Sequence, residues 1–373
     1  MRVWRRGNAR SRGSIGSSGS AEISLEIKLN RCVRLGVCDA MTGRGAGGAL
    51  DTSVGDAAGG PSLDPADLEA AVASAAAARV CSPADRPEDL VEIIAETLAA
   101  VRSLDVPAMQ HRSMDWAPFG VVIPVLSGSP GAGASAAAAS LVDVLQLAGR
   151  CVLLVDAADP SRSGLAAAAP AEGPWTAAVT PLLHIRYSWR REALVARLES
   201  PLPAISPGMV PPPRLWRPDV NPLHVTVVDL GHDGWRATAN PLLGAGAWLR
   251  RGMPSTRPVL VVRATRPSLR HAEQVLARLD PWVRAEVVST PCRLIVTGAK
   301  RWPPGVVGAA GRRIEPLLES ALFVPHDGEL ATGGITGELL AARVRAAFAP
   351  TLVEWGLLPA RRSRSGPVGR GVA

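Results

Sequence analysis

Five short runs are dominated by apolar, β-branched residues: Val121–Leu126 (VVIPVL), Cys151–Asp156 (CVLLVD), Leu223–Leu230 (LHVTVVDL), Val259–Ala264 (VLVVRA) and Cys292–Gly298 (CRLIVTG). Each is bounded by Gly, Pro or a charged residue, and most are separated by stretches of helical spacing. The helices expected are Ser135–Gly149, Ser268–Leu279 and Gly337–Ala349. Apolar strands that do not alternate are buried on both faces, and strands alternating with helices make a parallel sheet. The pattern therefore predicts an α/β fold: a doubly wound, mostly parallel sheet with helices on both faces. Right-handed crossovers bring the carboxyl ends of such strands to one edge, where ligands bind.

The pattern weakens elsewhere. Residues 1–60 are rich in Gly, Ser and Arg without a sustained period, which predicts a disordered tail. Residues 61–118 read as a helical preface: LDPADLEAAVASAAAARV opens on an Asp-Pro start signal, and RPEDLVEIIAETLAAV carries acids in its first turn. The main domain is expected over 119–358. It is interrupted by an irregular insertion at 160–220 that holds one strand, Leu182–Tyr187, and one helix, Arg191–Glu199. Residues 359–373 form a second basic tail.

Composition refines this picture. The chain has 373 residues, 47% of them apolar and 20% charged, which is a globular balance. No uninterrupted apolar run reaches a spanning length of about 18 residues. The N-terminal arginines are followed by Ser and Gly, so a secretory signal is not expected. Five scattered cysteines form no zinc pattern, and a reducing cytoplasm fits them. The formal charge of +8 is concentrated in the two tails, which suits contact with DNA or an anionic surface. Lys28 and Lys300 are the only lysines, so a missing lysine is partly a habit of this composition.

Candidate chemistry begins with VLSGSPGAGAS, residues 125–135, between the first strand and the first helix. Gly128, Gly131 and Gly133 allow a tight turn whose backbone N–H groups can converge on phosphates at a helix N-terminus. Ser135 could place its hydroxyl on Mg²⁺. A phosphate loop of the form G-x-x-x-x-G-K-[ST] needs a lysine where Ala134 stands, and Ala134 can neither bridge phosphates nor stabilise transferring charge. Ser129, with Asp229 and His326 following in hydrolase order, imitates a nucleophile elbow. Pro130 removes the N–H that its oxyanion hole would use. Two later strands end in acid: CVLLVD in Asp156, with Asp159 beyond it, and LHVTVVDL near Asp229. Carboxylates at those strand ends are placed to orient a metal beside the phosphates.

In this order the segments resemble the ParA/MinD-type P-loop ATPases, the deviant Walker A group. VLLVDAADPSRSGL is similar to that family's second strand, VTVVDLG to its Walker B strand, and VLVVRATRPSLRHAEQVLARL to the following strand, loop and helix. ALFVPHDGELATGG is similar to its late segment beside the base. The resemblance spans roughly Gly120–Phe348 and implies a P-loop NTPase-like fold. It also implies ATP or ADP with Mg²⁺, catalytic roles for Asp156, Asp159 and Asp229, and a homodimer with a DNA- or membrane-facing surface. Further, it implies binding by Gly128, Gly131, Gly133, Ala134 and Ser135, with Ser135 on the metal and Asp156 and Asp229 reaching it through water. The departures are specific. The family's two loop lysines fall on Ser129 and Ala134, its first glycine falls on Pro130, and its strand-ending Asn is missing from LIVTGAK.

These readings predict a ParA/MinD-like pseudo-ATPase or weak nucleotide-binding module in positioning or partitioning, acting with an unidentified protein partner. One alternative is a weakly active ATPase with a rewired site and a borrowed arginine, Arg162 being the candidate. Another is a DNA-associated structural protein that binds no nucleotide. FAPTLVEWGLLPARR is broken by Pro350 and Gly356 and reads as a packed C-terminal segment.

Overall fold

The structure is a computed structural model that describes residues 91–100, 103, 113–173, 175–219 and 222–359. The expected tails, and most of the helical preface, lie outside the described residues. The chain divides into two units, Met1–Asp56 with Asp219–Asn221, and Ala57–Pro218 with Pro222–Ala373. The elements below belong to the second.

All five apolar runs form strands: β1 (Val121–Ser127), β2 (Val152–Asp156), β6 (Val225–Asp229), β7 (Val259–Arg263) and β8 (Arg293–Thr297). Three more, β3 (Trp175–Thr180), β4 (Leu183–Arg190) and β5 (Ala193–Glu199), precede β6, and β9 (Leu322–Val324) follows β8. They make one sheet in the order β9-β8-β7-β1-β6-β2-β5-β4-β3. The seven strands from β9 to β5 are parallel, and β4 and β3 extend the sheet as an antiparallel meander.

Helices cover both faces. Helix α1 (Ala134–Leu147) and helix α3 (Ala342–Glu354) share one core with Ile123, Val125, Val227 and Val261. Helix α2 (Arg266–Arg284) buries Leu269, Ala272, Val275 and Leu279. Its place on the other face is fixed by Gly128, where a Cβ would lie 2.9 Å from both Ala272 Cβ and Val262 Cγ1. The chain thus leaves β1 for one face and β7 for the other. The two strands are neighbours, so a crevice opens between their carboxyl ends at the point where winding reverses, the usual ligand position in such sheets.

The expected helix over Arg191–Glu199 is a strand instead. Glu, Ala, Leu and Arg favour a helix, but propensity is a weak prior that tertiary context overrides. Here Arg191 adopts φ 55 at a tight turn after β4, and Leu194–Arg197 pairs with Leu153–Asp156 of β2. The segment 160–220 thus contributes three strands to the sheet, joined to irregular chain on either side.

A buried polar network ties this meander to the rest. Arg190 and Asp143, both fully buried, form a bidentate pair with Nε–Oδ1 and Nη2–Oδ2 distances of 2.9 Å. Asp143 also accepts from Gln146 Nε2 at 2.9 Å and from the Leu340 amide at 2.8 Å. Arg190 donates to the carbonyls of Ala168 and Thr336 as well. Helix α1, the end of β4 and the segment before α3 therefore meet at one ion pair.

A second anchor is aromatic. Trp116 is fully buried and stacks on Trp248 at 5.6 Å, with Phe119 edge-on to both. The start of the body is thereby fastened to the segment before β7. No helix among the described residues is long and apolar enough to cross a membrane.

Candidate functional site

The glycine loop sits at the carboxyl end of β1, between β7 on one side and β6 on the other. Gly131 and Gly133 adopt φ values of 66 and 89, a region that side chains other than hydrogen rarely enter. Gly131 faces open space. Gly133 is the N-cap of α1, and no side chain caps that helix. The amides of its first turn have no intrahelical partner and carry the positive end of the helix dipole. Loop shape is held by the Ala132 N–H on the Ser129 carbonyl at 3.1 Å. Thr297 Oγ1 at the end of β8 also donates to the Ala132 carbonyl at 2.6 Å. Ser129 is buried, with its hydroxyl 2.6 Å from Ser268 Oγ.

Asp156 and Asp229 are brought together. They are register partners on β2 and β6, and both are almost completely buried. Burial pushes the Asp229 carboxyl up to about 7, and its neighbour Asp156 adds to the rise; Ser135 and the Gly231 amide pull the other way. Burial also raises Asp156, which Ser163 Oγ at 2.5 Å, the Ala158 amide and nearby Arg197 partly offset. Oδ2 of Asp229 makes no well-formed hydrogen bond, which leaves one buried acceptor unanswered.

Because the folded pKa of Asp229 lies above its unfolded value of 3.8, the native state holds more protons between those limits. Stability from this group is full below about pH 4 and falls as pH rises through about 7. The loss should amount to a few kcal/mol, at roughly 1.4 kcal/mol per pKa unit. Urea titrations at pH 5.5 and 8.5 should show the drop, and Asp229→Asn should flatten it. An equal drop in the variant would refute the assignment.

Asp159 is engaged by hydrogen bonds within its own turn. It caps the short 3-10 turn Pro160–Arg162: Oδ1 accepts from the Ser161 amide and hydroxyl, and Oδ2 from the Ile205 amide at 3.2 Å. Burial raises its pKa, but these hydrogen bonds outweigh that and hold it below the usual range. Arg162, the arginine expected to be borrowed, is exposed on that turn. The turn leads back over the site, because a Cβ on Gly164 would stand 2.5 Å from Ser135 Oγ. Ser135, half-buried, therefore has backbone close over its hydroxyl.

On the α1 side of the sheet, a cavity of about 540 Å³ opens from the loop. Its lining includes Gly131, Ala132 and Gly133 of the loop, Thr297 and Val324 of β8 and β9, and His326. Asp327 caps the helical turn Gly328–Gly333 through the Leu330 amide at 2.9 Å and pairs with Arg343. Those contacts, the amide first, keep its carboxyl below the ordinary range. Arg263, at the end of β7, also lines this space. In the sequence it lies inside the run VLVVRA and carries no separate signal.

The hard oxygen donors Asp156, Asp229 and Ser135, with an orphaned Oδ2, fit Mg²⁺, which keeps several waters and takes few protein ligands. No cluster of three or more His, Cys, Asp or Glu side chains gathers as a metal site among the described residues.

No protein-family model matches the sequence, and no curated protein does. Solved structures similar to the chain include the cell division ATPase MinD of Pyrococcus furiosus, 18% identical with a TM-score of 0.43, covering 64% of this chain and 100% of that one. The septum site-determining protein MinD of Pyrococcus horikoshii OT3, complexed with Mg-ADP, is 16% identical with a TM-score of 0.41, over 65% and 100%. A ParA family ATPase from Chlorobium tepidum TLS is 17% identical with a TM-score of 0.37, over 64% and 98%. Likenesses at this level carry no residue roles across.

Proposed function

We propose that the chain is a ParA/MinD-like nucleotide-binding module that holds ATP or ADP without efficient hydrolysis and works in positioning or partitioning. One observation carries the reading: the uncapped N-terminus of α1, behind two left-handed glycines, opens into a cavity of about 540 Å³ at the winding reversal. That cavity can take a base and ribose, while the loop amides face the phosphates. Asp156, Asp229 and Ser135 would hold Mg²⁺, which when bound supplies charge neutralisation of the outer phosphates.

The chain's own contribution is binding and orientation. The loop lacks a lysine at Ala134, so no ammonium from this position stabilises charge on a transferring phosphoryl group. Asp229, its carboxyl raised to about 7 by burial, keeps part of its population protonated near neutral pH and is a weaker orienter of water or metal until a cation displaces that proton. Both points support a binding role over turnover. The homodimer, an unidentified protein partner, and contact of the basic tails with DNA or an anionic surface belong to the same proposal.

Calorimetry with ATP and ADP, with and without Mg²⁺, tests it. Binding in the micromolar-to-millimolar range with negligible phosphate release is expected. Ala134→Lys should tighten ADP binding about tenfold, the effect of one charge-assisted contact. No heat with either nucleotide at millimolar concentration would remove the reading, and rapid turnover would remove the hydrolysis-deficient part.

A further inference from the structure

We infer that Arg263 supplies the phosphate-facing positive charge that the loop lacks, pairing with the phosphates of the bound nucleotide from the side of β7. The inference rests on the nucleotide reading above and names the cation of that site.

Topology places the residue. On the far side of β1, the acids Asp229 and Asp156 end β6 and β2; on the near side, Arg263 ends β7. An anion on the loop amides would lie between them. Arg263 is the register partner of Thr297, whose hydroxyl reaches the loop carbonyl of Ala132. Register partners on parallel strands project to the same face, so Arg263 projects to the face that carries α1 and the cavity. Arg263 and His326 are the basic side chains of the cavity wall.

The electrostatics agree. No ion pair engages Arg263 among the described residues, whereas Arg190, Arg293 and Arg343 are each matched by an acid. The one acid in the cavity wall, Asp327, is already matched by Arg343 and a backbone amide. The wall beside the glycine loop therefore has an unanswered guanidinium, a planar fork that suits phosphate oxygens. Arg263 is exposed, so its replacement should leave the fold intact.

The test compares ADP with adenosine by calorimetry on the full chain and on Arg263→Gln and Arg263→Lys, with thermal melts as a folding check. Arg263→Gln should weaken ADP roughly tenfold to a hundredfold and leave adenosine unchanged. Arg263→Lys should recover part of the loss, and added salt should reduce the difference between wild type and Arg263→Gln. Equal ADP affinity in wild type and Arg263→Gln would overturn the inference while leaving the nucleotide reading standing. So would wild-type protein that binds adenosine as tightly as ADP. Failure of the wild type to bind either ligand would overturn both.

Discussion

Asp143→Ala should cost about 3–5 kcal/mol of folding stability, the usual penalty for stranding one member of a buried ion pair. Its carboxylate answers four donors: Arg190 Nε and Nη2, Gln146 Nε2 and the Leu340 amide. Removing it leaves a fully buried guanidinium without its counter-charge, and the Leu340 amide loses its acceptor. Arg190→Ala should be similarly severe. Replacing the pair together, as Asp143→Leu with Arg190→Met, should cost less than either single change, because no charge is stranded. Urea midpoints for the three variants decide the matter. A loss below about 1 kcal/mol in Asp143→Ala would mean that solvent reaches Arg190 readily, contrary to its burial.

Trp116→Ala should cost a comparable amount, about 3–5 kcal/mol, from lost burial and the cavity left behind. Trp116 has no exposed surface, stacks on Trp248 with an interplanar angle of 14°, and donates from Nε1 to the Arg250 carbonyl at 3.2 Å. Trp116→Phe keeps much of the ring contact but not the donor, so it should fall between wild type and Trp116→Ala. Loss of near-ultraviolet circular dichroism from the stacked indoles should accompany the drop in urea midpoint. A variant with unchanged midpoint would show that the segment before β1 is not fastened to the body as described.

Much of this architecture could be read from the chain because burial on both faces imposes it. VVIPVL, CVLLVD and VLVVRA have no polar face to offer, and a central parallel sheet is the common way to bury both sides. The glycine loop was legible for a similar reason: left-handed turns at Gly131 and Gly133 require that residue type. The strand-end pair was legible too, since Asp156 and Asp229 close two apolar runs. What escaped was decided by contacts distant in sequence. ALVARLE supports a helix on its own, and only its pairing with β2 makes it β5. Asp159 precedes a proline, the signature of a cap, and its contact with the distant Ile205 amide shows only in the fold. Arg263 could not be recognised at all, because a charge at a strand end acquires meaning only when the neighbouring strand and loop are known.

Gly164, standing over the Ser135 hydroxyl, bears on how a metal would enter the proposed site. On the proposed reading, Mg²⁺ reaches Ser135 only when Ser163 and Gly164 move aside, whichever nucleotide carries it. Ser163 also donates to Asp156, so the same movement frees a carboxylate oxygen. The open fraction then divides the affinity for the metal complex, and metal entry and release of Asp156 become one event.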